Sequence, residues 1–290
     1  MNSSSAEARI GHYENFPVAS LLCPASLRKP IAAIYHFART ADDLADEGQA
    51  SAQDRLDVLK AYRQQLVRVA QAPCDNLEPN SLDPRWAGLF GALGQAIHTH
   101  GLPLPLLHNL LDAFVQDVEK TRDRAGYADE AELRDYCRRS ANPVGRLLLH
   151  LYGVSEAEAL QQSDAVCTAL QLINFWQDPS VDIPRGRFYF TDQAKAAHRV
   201  DEADLLGLRQ TPAITRMVAQ CVQQARTTMA QGAPLVHRVP GRAGWELRLV
   251  VQGGLRILDK IEALDYQTLQ ERPTLRSWDF ALMVWRALWM

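Results

Sequence analysis

The 290-residue sequence predicts an all-α protein, on three observations. Apolar residues recur at helical spacing along most of the chain. Clusters rich in glycine and proline, such as HGLP at 100–103 and PRGR at 184–187, separate these segments. No stretch alternates polar and apolar residues as a half-buried strand does. With 47% hydrophobic residues and no break in composition, the chain is expected to form a single domain over residues 1–290.

The helical repeat predicts segments that run, in order, over about residues 17–24, 28–47, 53–71, 84–100, 103–121, 129–152, 155–183, 201–208, 211–231, 242–265 and 277–288. Gly48 ends the second segment, and APCDNLEPNS at 72–81 separates the third from the fourth. HGLP and RDRAG at 122–126 flank the fifth. PRGR closes the seventh, and QGAP and VPGRAG lie between the ninth and tenth.

Composition excludes several classes of function. The net charge of −3 gives no electrostatic basis for binding nucleic acid. Five scattered cysteines without a CxxC pair indicate reduced thiols rather than a disulfide framework or a zinc site. The N-terminal stretch lacks an apolar signal core, and no run of about 18 apolar residues predicts a spanning helix. A cytoplasmic protein is expected, with peripheral contact to the inner face of the membrane as an option.

The segment RKPIAAIYHFARTADDLADEG places acidic residues beside an apolar face. On a helical projection, Tyr35, Arg39, Asp42 and Asp46 form a line next to the buried side, and Asp43 lies further out. Acids at the C-terminal end of a helix oppose its dipole, so they do not serve helix stability. The alternative is a solvated acidic helix end, but charge beside a buried face is costly unless it is compensated.

The segment QLINFWQDPSVD carries a second acidic stripe on a helix that is otherwise apolar. Gln171, Asn174, Asp178 and Asp182 project along one line that includes Phe175. A helix that is apolar nearly all round is an interior helix, so its polar stripe must line a cavity or meet a partner group. A buried polar network satisfied by arginines is the alternative interpretation.

Both stripes offer only oxygen ligands, which suit Mg²⁺ and argue against zinc. Carboxylates at positions i and i+4 share one side of a helix and can hold the same ion. Arg185 and Arg187 follow the second stripe, and arginine forks suit phosphate oxygens. The sequence therefore predicts two acidic rims that hold Mg²⁺ and a diphosphate across a helical cavity.

Four ordered motifs resemble the squalene/phytoene synthase family: HYENF at 12–16, AIYHFARTADDLAD at 33–46, YCRRSANPVG at 136–145 and QLINFWQDPSVDIPRGRFYF at 171–190. The resemblance covers nearly the whole chain and implies the isoprenoid-synthase fold, in which two aspartate-rich motifs bind Mg²⁺ and diphosphate. It implies metal ligation by Asp42, Asp43, Asp46, Asn174, Asp178 and Asp182. Catalytic roles follow for these aspartates, apart from Asp43, and for Tyr35, Tyr136 and Tyr189. Substrate contacts are implied for His12, Phe16, Arg39, Asn142, Gln171, Phe175 and Arg187.

Within the family, HYENFPVAS, SANPVGR and NFWQD are similar to a bacterial branch that hydrates presqualene diphosphate to hydroxysqualene. The resemblance implies a place in a three-enzyme route to squalene and hopanoids, with presqualene diphosphate as substrate, Mg²⁺ as cofactor and no need for NADPH. Two alternatives stay open. One is a squalene or dehydrosqualene synthase that starts from farnesyl diphosphate, and the other is a non-catalytic isoprenoid-binding protein.

Three features stay unexplained by these motifs. Pro179 cannot donate a helical hydrogen bond, so the helix is expected to bend there and to carry Asp182 off the line of Asp178. The glycines of QGGLR at 252–256 either leave room in the cavity or let helices approach closely. The segment SWDFALMVWRALWM at 277–290 either packs on the core or docks at a membrane surface.

Overall fold

A computed structural model of the protein describes residues 23–72 and 82–290, which form helices joined by short connections. No strand occurs in these two ranges, in agreement with the all-α prediction. The helices are α1 (Ala25–Asp46), α2 (Ala52–Gln71), α3 (Ala87–His100), α4 (Leu104–Asp123), α5 (Glu130–Ser140), α6 (Asn142–Leu151), α7 (Ala157–Gln177), α8 (Pro179–Asp182), α9 (Asp192–His198), α10 (Glu202–Leu206), α11 (Pro212–Gly232), α12 (Gly241–Ala263) and α13 (Ser277–Leu288). Single 3₁₀ turns follow α8 and α11.

The helix predicted over 129–152 is two helices. The chain breaks at Ala141, and Pro143 lies in the first turn of α6. A proline has no N–H and fits that first turn, where the N–H has no helical partner, whereas in a helix interior it removes a bond. The short helix α9 was not predicted, because none of its seven residues is buried and no apolar face marks it in the sequence. Residues 17–22 of the first predicted helix lie outside the described residues.

The first four helices surround one hydrophobic cluster. The rings of Phe37, Tyr62 and Phe90 lie at its centre, with the Tyr62 ring centroid 5.4 Å from that of Phe37 and 4.7 Å from that of Phe90. The Tyr62 hydroxyl donates a hydrogen bond to the Phe37 carbonyl at 3.1 Å, so its buried polar atom is satisfied. This cluster fixes the buried side of α1 and thereby the direction of the acidic line beside it.

A second cluster surrounds α7, which packs against α5, α6, α11 and α12. Glycines permit the close approach of its neighbours. A Cβ at Gly232 of α11 would lie 2.6 Å from the backbone nitrogen of Val166, and one at Gly254 would lie 3.0 Å from Leu170. The glycines of 252–256 therefore serve helix packing: Gly254 packs against α7 and α11, and Gly253 lies against Met283 of α13. As the sequence predicted, α7 is an interior helix.

Candidate active site between two acidic helix ends

The C-terminal end of α1 carries the first acidic group. Arg39 contacts two of its acids, with Nη1 3.3 Å from Asp42 Oδ2 and Nη2 2.8 Å from Asp43 Oδ1. Burial raises the pKa of Asp42 to about 6, and the nearby charge of Asp46 adds to this rise. Arg39 therefore offsets part of the charge of Asp42 and Asp43, while Asp42 and Asp46 still repel each other.

The second acidic group lies where α7 ends. Helix α7 stops at Gln177, Asp178 caps it with φ −111° and ψ 20°, and Pro179 begins the short helix α8. The helix is thus interrupted at the point where a bend was expected, and a proline at this position cannot continue the hydrogen-bond ladder of α7. Arg272 forms a bidentate ion pair with Asp178, in which Nε donates to Oδ1 at 2.6 Å and Nη2 donates to Oδ2 at 3.0 Å.

Arg187 joins the two acidic groups. It forms an ion pair with Asp46 on α1, although it follows α8 in the chain. Burial raises the pKa of Asp182 to about 7, against the lowering effect of Arg187, and the negative charges of Asp178 and Asp46 add to the rise. Asp46 of the first group and Asp182 of the second are thus electrostatic neighbours, and the two predicted motifs meet around Arg187.

Asp117 on α4 belongs to the same site, and sequence reasoning missed it. It accepts a hydrogen bond from the Tyr136 hydroxyl at 2.8 Å. Burial raises its pKa to about 7, and among the smaller effects Arg187 lowers the pKa while Asp46 and Asp42 raise it. No motif marks this residue, because QDVEK at 116–120 has the composition of an ordinary exposed helix turn.

An aromatic cluster adjoins these carboxylates. The Phe175 and Tyr189 rings stack with centroids 3.7 Å apart, and the Tyr136 centroid lies 6.2 Å from Phe175 and 6.4 Å from Tyr189. Tyr127, which the sequence did not single out, stacks on Tyr189 at 6.0 Å. Trp176 instead stacks on Phe190 at 5.2 Å and is buried in the core.

The remaining predicted residues fall into three groups. Gln171 and Asn174 lie on α7 as half-buried residues, two turns and one turn before Asp178 respectively, and Tyr35 lies one turn before Arg39 on α1. The Oδ1 atom of Asn142 accepts a hydrogen bond from the Thr168 hydroxyl at 3.0 Å, so this oxygen links α6 to α7. His12 and Phe16 lie outside the described residues.

A match to the family model described as squalene/phytoene synthase extends over residues 11–279. The chain belongs to the squalene/phytoene synthase family. This confirms the resemblance drawn from the four motifs.

Three relatives show how the chain compares within the squalene/phytoene synthase family. It is 40% identical to a hydroxysqualene synthase of Zymomonas mobilis over 63% of this chain and 56% of that protein. It is 30% identical to a hydroxysqualene synthase of Rhodopseudomonas palustris over 99% of this chain and 92% of that protein. The crystal structure of a squalene synthase from Alicyclobacillus acidocaldarius superposes with a TM-score of 0.75 and 35% identity, over 88% of this chain and 90% of that one.

The donor set of this family member fits Mg²⁺ by its chemistry. Asp42, Asp46, Asn174, Asp178 and Asp182 offer oxygen ligands. Burial raises the pKa values of Asp42 and Asp182, and repulsion from neighbouring carboxylates adds to the rise, so a cation would be favoured beside them. Within residues 23–72 and 82–290, however, no three acidic, histidine or cysteine side chains are grouped closely enough to hold a metal ion. Arginines compensate these acids instead.

Proposed function

We propose that this protein converts presqualene diphosphate and water to hydroxysqualene and diphosphate. The observation that carries the proposal is the meeting of two acidic helix ends around Arg187, beside a cluster of aromatic rings. The names of the two bacterial relatives support the choice of reaction within the family. The non-catalytic alternative is disfavoured, because such a protein has no need for Asp42, Asp46, Asp178 and Asp182 at a shared site.

The arginines of the site are suited to receive the diphosphate. Arg39, Arg187 and Arg272 each contact a carboxylate of the two acidic groups. Guanidinium groups bind phosphate oxygens in the same forked manner, so a diphosphate can replace a carboxylate as their partner. The released carboxylates Asp42, Asp46, Asp178 and Asp182, with Asn174, would hold Mg²⁺, which when bound neutralises the leaving diphosphate.

The aromatic cluster is suited to the hydrocarbon half of the reaction. Breaking the carbon–oxygen bond sends its electron pair to the diphosphate and leaves a cyclopropylcarbinyl cation, which then rearranges. Rings such as those of Tyr136, Phe175 and Tyr189 stabilise a nearby cation by roughly 1–2 kcal/mol each when water is excluded. Tyr136 and Phe175 are buried, so these rings also keep bulk water from the cation.

Capture of the cation by water requires a proton acceptor. The water oxygen bonds to the cationic carbon, and one of its protons must then leave. We assign this proton to the Asp117 carboxylate, since its pKa of about 7 suits a base at neutral pH and Tyr136 holds it beside the rings. Asp117→Asn should lower the yield of alcohol, because the protonated alcohol that water capture forms then lacks its proton acceptor and can lose water again; an unchanged rate and yield of alcohol would exclude the assignment.

The decisive experiment supplies the purified protein with Mg²⁺ and either presqualene or farnesyl diphosphate, with and without NADPH, in ¹⁸O-labelled water. The expected product from presqualene diphosphate is hydroxysqualene that carries ¹⁸O, formed at the same rate without NADPH. An unlabelled alcohol would indicate cleavage of the phosphorus–oxygen bond. Squalene or dehydrosqualene formed from farnesyl diphosphate would establish the alternative synthase.

The proposed reaction implies neighbours in a sequence of reactions. Its substrate must come from an enzyme that joins two farnesyl diphosphates, and its product is an alcohol that a reductase can convert to squalene. Both molecules carry thirty-carbon chains that dissolve poorly in water. None of the helices in the described part of the chain is long and apolar enough to cross a bilayer.

A further inference from the structure

Helix α13 exposes its apolar side to solvent, whereas an ordinary surface helix buries that side. The exposed residues of α13, apart from Ser277, are all apolar. The large exposed apolar side chains of the helix and of Trp289, which caps its C-terminal end, are Trp278, Phe280, Val284, Trp285, Leu288 and Trp289. Trp285 is 59% exposed and Trp289 is 81% exposed. Surface helices of globular proteins normally bury this side and expose their charges.

Both charged residues of α13 are instead held by ion pairs to α12. Asp279 is fully buried and accepts bonds from Arg256 Nε at 2.7 Å and Lys260 Nζ at 2.8 Å, both on α12. Arg286 lies 2.7 Å from Asp259, also on α12. These ion pairs hold the helix in one orientation, so its apolar side is presented to the outside by the fold.

The apolar patch that these side chains form is larger than the largest apolar patch of a typical monomer. Trp245 of α12, which is 46% exposed, adds to the six side chains of the α13 segment. Together they expose on the order of 700 Å², against roughly 300–600 Å² for the largest patch of a typical monomer. A patch of this size indicates a surface that meets a partner.

We propose that this surface, defined by Trp245 and the six exposed side chains at 278–289, docks the protein on a phospholipid bilayer. Tryptophan prefers the boundary between headgroups and hydrocarbon. Cationic residues border the patch, as lipid phosphates require: Arg242 and Arg276 are exposed, and the Arg248 guanidinium lies 4.9 Å from the Trp245 ring. The choice of lipid over a second copy of the chain also rests on the proposed function, whose substrate and product are long hydrocarbons.

The patch is connected directly to the candidate active site. The segment before α13 carries Arg272, which holds Asp178, and the Pro273 carbonyl accepts a hydrogen bond from Gln177 at 2.6 Å. Gly253 and Met283 bring α12 and α13 together behind the patch. A bilayer at this surface therefore lies beside the end of the molecule where the second acidic group is built.

Sedimentation with lipid vesicles tests the proposal without any substrate. The full-length protein is mixed with vesicles of phosphatidylcholine, alone or with phosphatidylglycerol, and the bound fraction is measured. The double variant Trp285→Ser, Trp289→Ser should bind at least about tenfold more weakly. Leu206→Ser, on α10, is the matched control because Leu206 is 55% exposed outside the patch, and it should bind as the parent protein does.

Circular dichroism and the thermal midpoint verify that the variants fold, and Phe280→Ser with Val284→Ser gives a second independent pair. A parent protein that binds neither vesicle, or a double variant that binds as well as the parent, overturns the proposal. A dimer in analytical ultracentrifugation that dissociates in the double variant also overturns it, in favour of a second copy. Vesicle binding with no turnover of presqualene diphosphate would refute only the proposed function.

Discussion

In the candidate site, individual arginines pair with individual acidic residues and offset their charge. Arg39, Arg187 and Arg272 contact Asp43, Asp46 and Asp178 respectively. Each pair is partly exposed, so each contributes modestly to stability, on the order of 1 kcal/mol or less after screening. Such pairs exchange partners at low cost, which is what a site needs if a diphosphate is to replace a carboxylate on the arginine.

Replacement of a single acidic residue should therefore affect turnover far more than folding. Asp42→Asn and Asp178→Asn are expected to lower kcat by at least about a hundredfold. Each removes a negative carboxylate that would help to hold Mg²⁺, and Mg²⁺ would neutralise the leaving diphosphate. Turnover of presqualene diphosphate and helicity by circular dichroism are the measurements. Asp57→Asn on α2 is the control, since Asp57 is exposed and bonds only to Gln53 among the contacts resolved here. Near-normal turnover in either site variant would refute the role of that carboxylate.

Asp117 should leave a signature in the pH dependence of stability. Its folded-state pKa of about 7 lies well above the ordinary value, so the folded protein holds the proton more tightly than the unfolded chain. The resulting stability is fully present below about pH 4 and is lost as the pH rises through 7. Burial also raises the pKa values of Asp42 and Asp182, to about 6 and 7, which adds a slope of the same sign.

Urea unfolding in the presence of a chelator measures this slope. The unfolding free energy of the parent protein should fall between about pH 5 and pH 8. In Asp117→Asn this fall should be smaller by on the order of 2–3 kcal/mol. The parent protein should be less stable at the higher pH, and the variant should show a flatter profile. Parallel profiles for parent and variant would mean that Asp117 is charged in the folded protein at neutral pH.

At the scale of helices, prolines and glycines explain both the successes and the failures of prediction. The interruption at Pro179 was predictable because a proline in a helix interior removes a backbone hydrogen bond and crowds the preceding turn. The break at Ala141 follows from the same rule applied to Pro143, but the apolar repeat runs through it and concealed it. Whether the glycines of 252–256 create space or contact depended on the neighbouring helices, which no local pattern records.

The same division applies to the candidate site. The stripes with Asp42 and Asp178 were predictable, because periodicity places them beside or within apolar surfaces. Asp117 was not, since its importance comes from Tyr136 on another helix. The pair of Arg272 with Asp178 joins residues 94 positions apart, and such pairs depend on the tertiary fold rather than on spacing. That residues 1–290 form one domain stays a prediction.

Gly232 provides a test of close helix packing. In Gly232→Ala the added Cβ would lie 2.6 Å from Val166 N and 2.7 Å from Gln162 O, and both are backbone atoms of α7 that cannot turn away. The variant should lose roughly 2–3 kcal/mol of unfolding free energy, because α11 must move from α7. Gly91→Ala on α3 is the matched control: its Cβ meets no atom within 4 Å, so it should gain up to about 1 kcal/mol. Equal effects in the two variants would contradict the packing argument.

For the whole molecule, the fold brings together acids and arginines from distant parts of the chain. Asp42 and Asp46 come from α1, Asp117 from α4, Asp178 and Asp182 from the end of α7 and from α8, and Arg272 from the segment before α13. Arginines now compensate several of these acids. A ligand that replaces an arginine at one acid therefore changes the charge felt by the others.

This coupling predicts that Mg²⁺ and inorganic diphosphate stabilise the protein together far more than either does alone. The diphosphate would bind the arginines and so break their ion pairs with the carboxylates, which would leave the carboxylates available to Mg²⁺. Each ligand would therefore bind more tightly when the other is bound. At concentrations about a hundredfold above the joint dissociation constant, the thermal midpoint should rise by roughly 5 °C. Asp42→Asn should lose this joint effect, whereas Asp57→Asn should retain it. If the two separate shifts simply add, the arginine and metal sites are independent, and the exchange of partners around Arg187 does not occur.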